Sequence, residues 1–166
     1  MEITQVAVEE YLRTVYRPDC DYVDGVIEER KAGERDHAWV QGRLAACFWS
    51  RFNGTGLVPF PEWRFQVGPT RFRVPDLVLV RGKPDEQILT EAPLLCVEIL
   101  SPKDAMAGMN ARIQEYLEFG VPVVWLIDPN NRRLWIYRRD RMEEAMGDTV
   151  ELDGTSIKIS FSEIFG

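Results

Sequence analysis

Two carboxylates stand where carboxylates are rare. Asp76 lies in Val74-Pro75-Asp76-Leu77-Val78-Leu79-Val80, and Glu98 lies in Leu94-Leu95-Cys96-Val97-Glu98-Ile99-Leu100. Both runs read as buried strands, and an acid inside such a strand is usually paired or bound to a metal. Side chains alternate across a sheet, so acids on neighbouring strands converge when their registers match. Two converging carboxylates, with water completing the shell, suit a hard dication such as magnesium or manganese. A cation held there activates water against a phosphodiester and neutralises charge on the phosphate. The same acids would also be satisfied by arginine partners or by an open sheet face, and Arg64, Arg71, Arg73 and Arg81 flank the first strand. Spacing alone leaves both possibilities open.

The elements that must position these acids follow from periodicity. Residues 4–15 read as a short amphipathic helix with Val8, Tyr11, Leu12 and Val15 on one face. A hairpin over residues 22–28 turns at Asp24-Gly25, which supplies the positive φ of a tight turn. A helix over 35–52 carries Trp39, Val40, Leu44, Cys47 and Phe48 as its apolar stripe. His37, the only histidine, sits in its first turn and reads either as a surface or capping residue or as a group lining the site.

Strands over 57–67 and 72–81 are joined by Gly68-Pro69-Thr70, and a polar loop leads to the Glu98 strand. Asp104 is placed to cap a helix over 105–119 that buries Met106, Met109, Ile113, Tyr116 and Leu117. Strands over 123–127 and 134–137 follow. The Trp135-Ile136-Tyr137 edge of the latter reads as exposed and able to pair with a second copy, so a homodimer is possible. The expected class is α/β, with an α+β mixed sheet, in a single domain over residues 1–166.

At 166 residues and 45% hydrophobic content, the chain can bury a real core. No apolar run spans a bilayer and no signal-peptide pattern opens the chain, so the cytoplasm is the expected compartment, with no membrane partner. Cys20, Cys47 and Cys96 are odd in number and widely spaced, which fits reduced thiols rather than a disulfide frame or zinc site. The net charge of -7 counts against nonspecific nucleic-acid binding by the molecule as a whole, leaving only local patches for that purpose.

Several segments, taken in order, resemble a known family. They are Tyr22-Val23-Asp24-Gly25, His37, Val74-Pro75-Asp76, Val97-Glu98-Ile99-Leu100-Ser101-Pro102, Tyr116, Gly120-Val121-Pro122 and Trp125-Leu126-Ile127-Asp128-Pro129. Over about residues 20 to 140 the chain resembles the PD-(D/E)XK nuclease superfamily and, within it, the Uma family of restriction endonucleases. The resemblance implies an α-β-β-β-α-β restriction endonuclease-like core, here with an added N-terminal helix and hairpin and C-terminal strands. It also implies a Mg²⁺- or Mn²⁺-dependent endonuclease acting on DNA. Asp76 and Glu98 would be the metal ligands, and the Ile99 carbonyl a third oxygen.

The superfamily expects lysine two residues after the second acid, where this chain has Leu100. Uma-type sequences usually carry that lysine four residues before the tyrosine, and Arg112 holds the position here. Arginine keeps the positive charge but cannot act as a general base. Arg112 and His37 therefore join the catalytic set that the resemblance implies, and Lys103 is a possible substitute for the lysine. Glu115 either reaches toward the metal or belongs to the helix surface. The alternative to an enzyme is a nuclease-fold binding module or dimerisation domain whose catalysis is weakened or lost.

Overall fold

The computed structural model describes residues 5–102 and 104–166. The chain begins with α1 (Val8–Arg13), β1 (Cys20–Val23), β2 (Val26–Glu29), α2 (Arg35–Ser50) and a one-turn α3 (Phe52–Thr55). Next come β3 (Leu57–Pro61), β4 (Phe65–Gly68), β5 (Arg71–Arg73), β6 (Leu77–Arg81), β7 (Leu95–Ile99), α4 (Met106–Phe119) and β8 (Val123–Asp128). The chain closes with β9 (Arg133–Tyr137), β10 (Met142–Glu144), β11 (Thr149–Glu151), β12 (Lys158–Ser160) and α5 (Phe161–Phe165).

A six-stranded mixed sheet runs β10-β9-β8-β7-β6-β3, and a four-stranded antiparallel sheet runs β2-β1-β5-β4. Among the named strands of the described residues only β7 and β8 pair in parallel, and α4 supplies the crossover that a parallel pair requires. Both faces of the large sheet are covered, so its central strands are apolar on both sides rather than alternating. Leu77, Leu79, Leu95 and Val97 face a core shared with Val40, Leu44 and Phe48 of α2. Val78, Val80 and Cys96 face Met109, Ile113, Tyr116 and Leu117 of α4.

The two long strands expected over 57–67 and 72–81 each divide in two. Glu62 takes a left-handed φ of 52°, which interrupts the first, and Pro75, with no N–H to donate, interrupts the second. The result is one bent hairpin: β3 pairs with β6 in the large sheet, and β4 with β5 in the small one.

Other expectations need correction. Helix α1 covers only Val8–Arg13 and leaves Val15 exposed, and the expected start at Thr4 lies outside the described residues. Trp39 and Met106 are about half exposed, on the outer faces of α2 and α4. Asp104 does not cap α4; it accepts the Ser101 N–H at 2.7 Å, closing a turn, and Ala105 stands at the cap. The β9 edge expected to pair between copies is covered by β10, which makes β10 and β3 the edges of that sheet. The Asp24-Gly25 turn forms as expected, with φ of 49° and 93°.

Candidate active site

The two acids lie opposite each other. Leu77 pairs with Val97 and Val78 with Cys96, so the antiparallel register sets Asp76 across from Glu98, both on the face that carries Val78 and Cys96. Asp76 and Glu98 are 3% and 1% exposed. They share a small pocket of about 40 Å³ with Arg30, Lys31, His37, Ile99 and Arg112.

Each carboxylate oxygen has a donor. Asp76 Oδ1 accepts from Arg30 Nη2 at 2.5 Å and lies 3.3 Å from His37 Nε2. Asp76 Oδ2 accepts the Ile99 N–H at 2.7 Å. It is thus the Ile99 amide, rather than its carbonyl, that contacts the acid. Glu98 Oε1 accepts from the Tyr116 hydroxyl at 2.6 Å, and Oε2 from Arg112 Nη1 at 3.1 Å.

Arg112 therefore reaches the acid pair, as its place on α4 implied. Its other arm donates to Asp21 Oδ2 at 2.7 Å, and Asp21 is fully buried. Arg73 donates to the same Asp21 oxygen at 3.1 Å, to Glu28 at 2.7 Å and to both oxygens of Glu115 at 2.7 and 3.0 Å. Glu115 is thus a partner of Arg73 and Arg71 rather than a metal ligand or a free surface group. Of the other flanking arginines, Arg71 is paired with Asp24, and Arg64 lies over the Tyr11 ring. The four do not make an open basic face. Lys103 lies outside the described residues.

Asp21 and Arg30 are site residues that spacing did not flag, and of the four flanking arginines Arg73 is the one buried in the cluster. Asp21 carried one usable sign, its position between Cys20 and Tyr22 at the start of an apolar strand. Arg30, in a polar stretch just after β2, carried none.

Burial sets the protonation behaviour of this cluster. Burial, helped by the charge of Asp76 and opposed by Arg112, pushes Glu98 up to about 7. Burial would also raise Asp76, but the His37 hydrogen bond, the Arg30 charge and the Ile99 amide outweigh it and hold Asp76 below its ordinary value. Burial would lower His37, yet the hydrogen bond and charge of Asp76 raise it.

Glu98 and His37 therefore bind protons more tightly folded than unfolded. The stability they contribute is complete below their unfolded values and is lost as pH rises through the folded ones. Asp76 has the opposite sign, and its contribution is lost only as pH falls below its unfolded value toward its depressed folded one. In metal-free buffer the urea midpoint is predicted to fall between about pH 5 and pH 8. Glu98→Gln, which keeps an acceptor for Tyr116, should flatten that slope; an unchanged slope would remove Glu98 as its source.

His37 depends on a glycine. A Cβ added at Gly33 would lie 2.9 Å from His37 Nδ1, closer than such contacts allow, so Gly33→Ala should push the ring off Asp76. With one histidine in the chain, a proton NMR titration reads that ring alone. Its midpoint is expected to drop toward the ordinary histidine value in the variant, and an unshifted midpoint would show that the ring had stayed.

Opposed carboxylates beside a pocket with room for a few water-sized ligands suit a small hydrated dication. Among the described residues no group of three or more His, Cys, Asp or Glu is arranged to hold a metal. Much of any shell would thus fall to water and backbone oxygen, as is usual for magnesium.

A family model described as "Putative restriction endonuclease" matches residues 8–162. The chain belongs to the Uma2 family. Its fold is shared with the crystal structure of a "putative nuclease belonging to DUF820" from Anabaena variabilis, at a TM-score of 0.83 and 21% identity over 96% of this chain and 97% of that one. No curated protein matches the chain. Uma2 membership supports a nuclease, and the shared fold supports the mixed α+β architecture. Among the described residues no helix is long and apolar enough to cross a membrane.

Proposed function

We propose that this Uma2 protein is an endonuclease that hydrolyses DNA phosphodiester bonds with the help of Mg²⁺ or Mn²⁺ held by Asp76 and Glu98. The observation that carries the proposal is the placement of those two buried acids opposite each other at one small polar pocket. The Ile99 carbonyl, next along the strand, is the third oxygen we assign to the cation. When bound, the cation supplies Lewis acidity toward the phosphate and lowers the pKa of an attacking water.

The remaining roles belong to the chain. The Ile99 N–H holds one oxygen of Asp76, and Tyr116 and Arg112 hold Glu98, so neither acid needs to reorganise before reaction. Arg112 stays protonated and acts by charge, orienting Glu98 and stabilising negative charge on the phosphate. Burial pushes Glu98 up to about 7 without a cation, and the charge of a bound dication would favour its ionised form. His37 steadies Asp76 from the first turn of α2.

The test is conversion of supercoiled plasmid by the purified protein in Mg²⁺, in Mn²⁺ and in EDTA. Nicked or linear product only with a cation is the expected result, and equal product in EDTA would overturn the metal assignment. A second reading, a nuclease-fold binding module without catalysis, is favoured by one observation: Arg112 stands where the family resemblance places lysine, with both of its arms already bound to acids. No product with either cation, together with retained DNA binding, would select it.

A further inference from the structure

The two arginines at the acid pair are held very differently. Arg112 comes from the middle of α4, and each Nη is anchored to a separate buried carboxylate, Glu98 or Asp21. Arg30 comes from the segment between β2 and α2, and its side-chain partner among the described residues is Asp76 alone. The side chains of Arg30 and Arg112 are 13% and 18% exposed, so both reach the mouth of the pocket, and what separates them is how each is anchored. Arg30 also holds the same Asp76 oxygen that His37 approaches, while the other oxygen is taken by a backbone amide in the sheet.

The charges then decide what can coexist. Asp76 is paired with Arg30, while Arg112 is shared between Glu98 and Asp21. A dication bound to Asp76 without moving Arg30 would lie next to a guanidinium at hydrogen-bond distance from the same acid. Repulsion at that range is strong inside a protein. Arg112 can relieve it only by breaking its bonds to two buried acids, which would leave Asp21 to Arg73 and the Val74 N–H, whereas Arg30 gives up one ion pair by turning outward.

We propose that Arg30 is the resident counter-ion of Asp76, occupying the place a divalent cation takes, so that guanidinium and cation exclude each other there. The proposal rests on the metal-dependent reading of the site. The site is then closed to the metal by its own arginine. Cation binding is weakened by the fraction of time Arg30 spends on Asp76, and the displaced guanidinium is left at the mouth, where an anionic phosphate would meet it.

Mn²⁺ titration followed by calorimetry and by the electron paramagnetic resonance signal of free Mn²⁺ tests this on the wild type, Arg30→Gln, Arg30→Lys and Asp76→Asn. Arg30→Gln is expected to bind Mn²⁺ about 10- to 100-fold more tightly than wild type, the factor expected if the native arginine leaves Asp76 about one time in 10 to one in 100. Arg30→Lys, which keeps a charge, should gain less, and Asp76→Asn should lose binding. Thermal melts confirm that each variant folds, and the Mn²⁺-induced rise in Tm should be larger for Arg30→Gln than for wild type. Asp76-dependent binding that is equal or weaker in Arg30→Gln would overturn the counter-ion role while leaving the metal site standing. Absence of Mn²⁺ binding in every folded variant would overturn the metal reading and this proposal together.

Discussion

Asp76→Asn is expected to lower cation-dependent plasmid cleavage by on the order of 100- to 1,000-fold, the range for loss of one preorganised charged or hydrogen-bonding group at a reacting centre. Asparagine suits the test better than alanine. Its side-chain oxygen can still accept the Ile99 N–H, which Asp76 Oδ2 receives at 2.7 Å, so the strand crossing keeps its internal bond. Alanine would leave that amide, Arg30 and His37 without their acceptor and would confound activity with unfolding. The variant removes the negative charge that would hold a cation and turns an amide NH2 toward Arg30 and His37, while the bond across the strands is kept. Initial rates under single-turnover conditions, with a thermal melt beside them, separate the two effects. Activity within a few-fold of wild type would show that Asp76 holds no catalytic cation.

Arg73→Met should be the most damaging single change to stability in the cluster, at about 3–5 kcal/mol, as for removal of one partner from a buried ion pair. Arg73 is 5% exposed and donates to three acids, of which Asp21 is fully buried. Methionine fills much of the same volume, so the loss reports charge and hydrogen bonding more than a cavity. Asp21 would keep Arg112 and the Val74 N–H at 2.9 Å, and Glu115 would keep Arg71, but neither acid would be fully balanced. Urea unfolding with linear extrapolation measures the loss. Adding Asp21→Asn to Arg73→Met should recover part of it, because the stranded charge goes too. A loss under about 1 kcal/mol, the scale of an exposed pair, would mean that Arg73 is not tying the four-stranded sheet to α4.

The parts of this fold that were legible beforehand are those where one residue type has few alternatives. Asp24-Gly25 needed a positive-φ turn, and an acid between Val97 and Ile99 needed a partner; both expectations match the coordinates. Position four before Tyr116 on α4 did bring Arg112 to Glu98. The division of the first long strand was hidden because it depends on Glu62, a residue with no special liking for left-handed backbone, whereas Pro75 marks the division of the second. Trp39 was misplaced because a helical stripe fixes an angle but not the width of the covered face. Asp21 and Arg30 escaped notice for a deeper reason. Each is an ordinary polar residue in or beside a short strand, and only tertiary packing brings it to the acid pair.

The bend between β5 and β6 also governs how the site responds to load. Asp76 sits where the chain passes from one sheet to the other, and its carbonyl accepts from Gln41 of α2 at 2.8 Å and from the Glu62 N–H at 3.3 Å. Its backbone is thus tied to a helix and to the facing arm of the bent hairpin, while its side chain is tied to β7 through Ile99. A ligand that pulls on the carboxylate strains all three attachments at once. Toward α2, the hairpin and β7 the carboxylate is held through backbone attachments, and only toward Arg30 and His37 is it held by side chains alone.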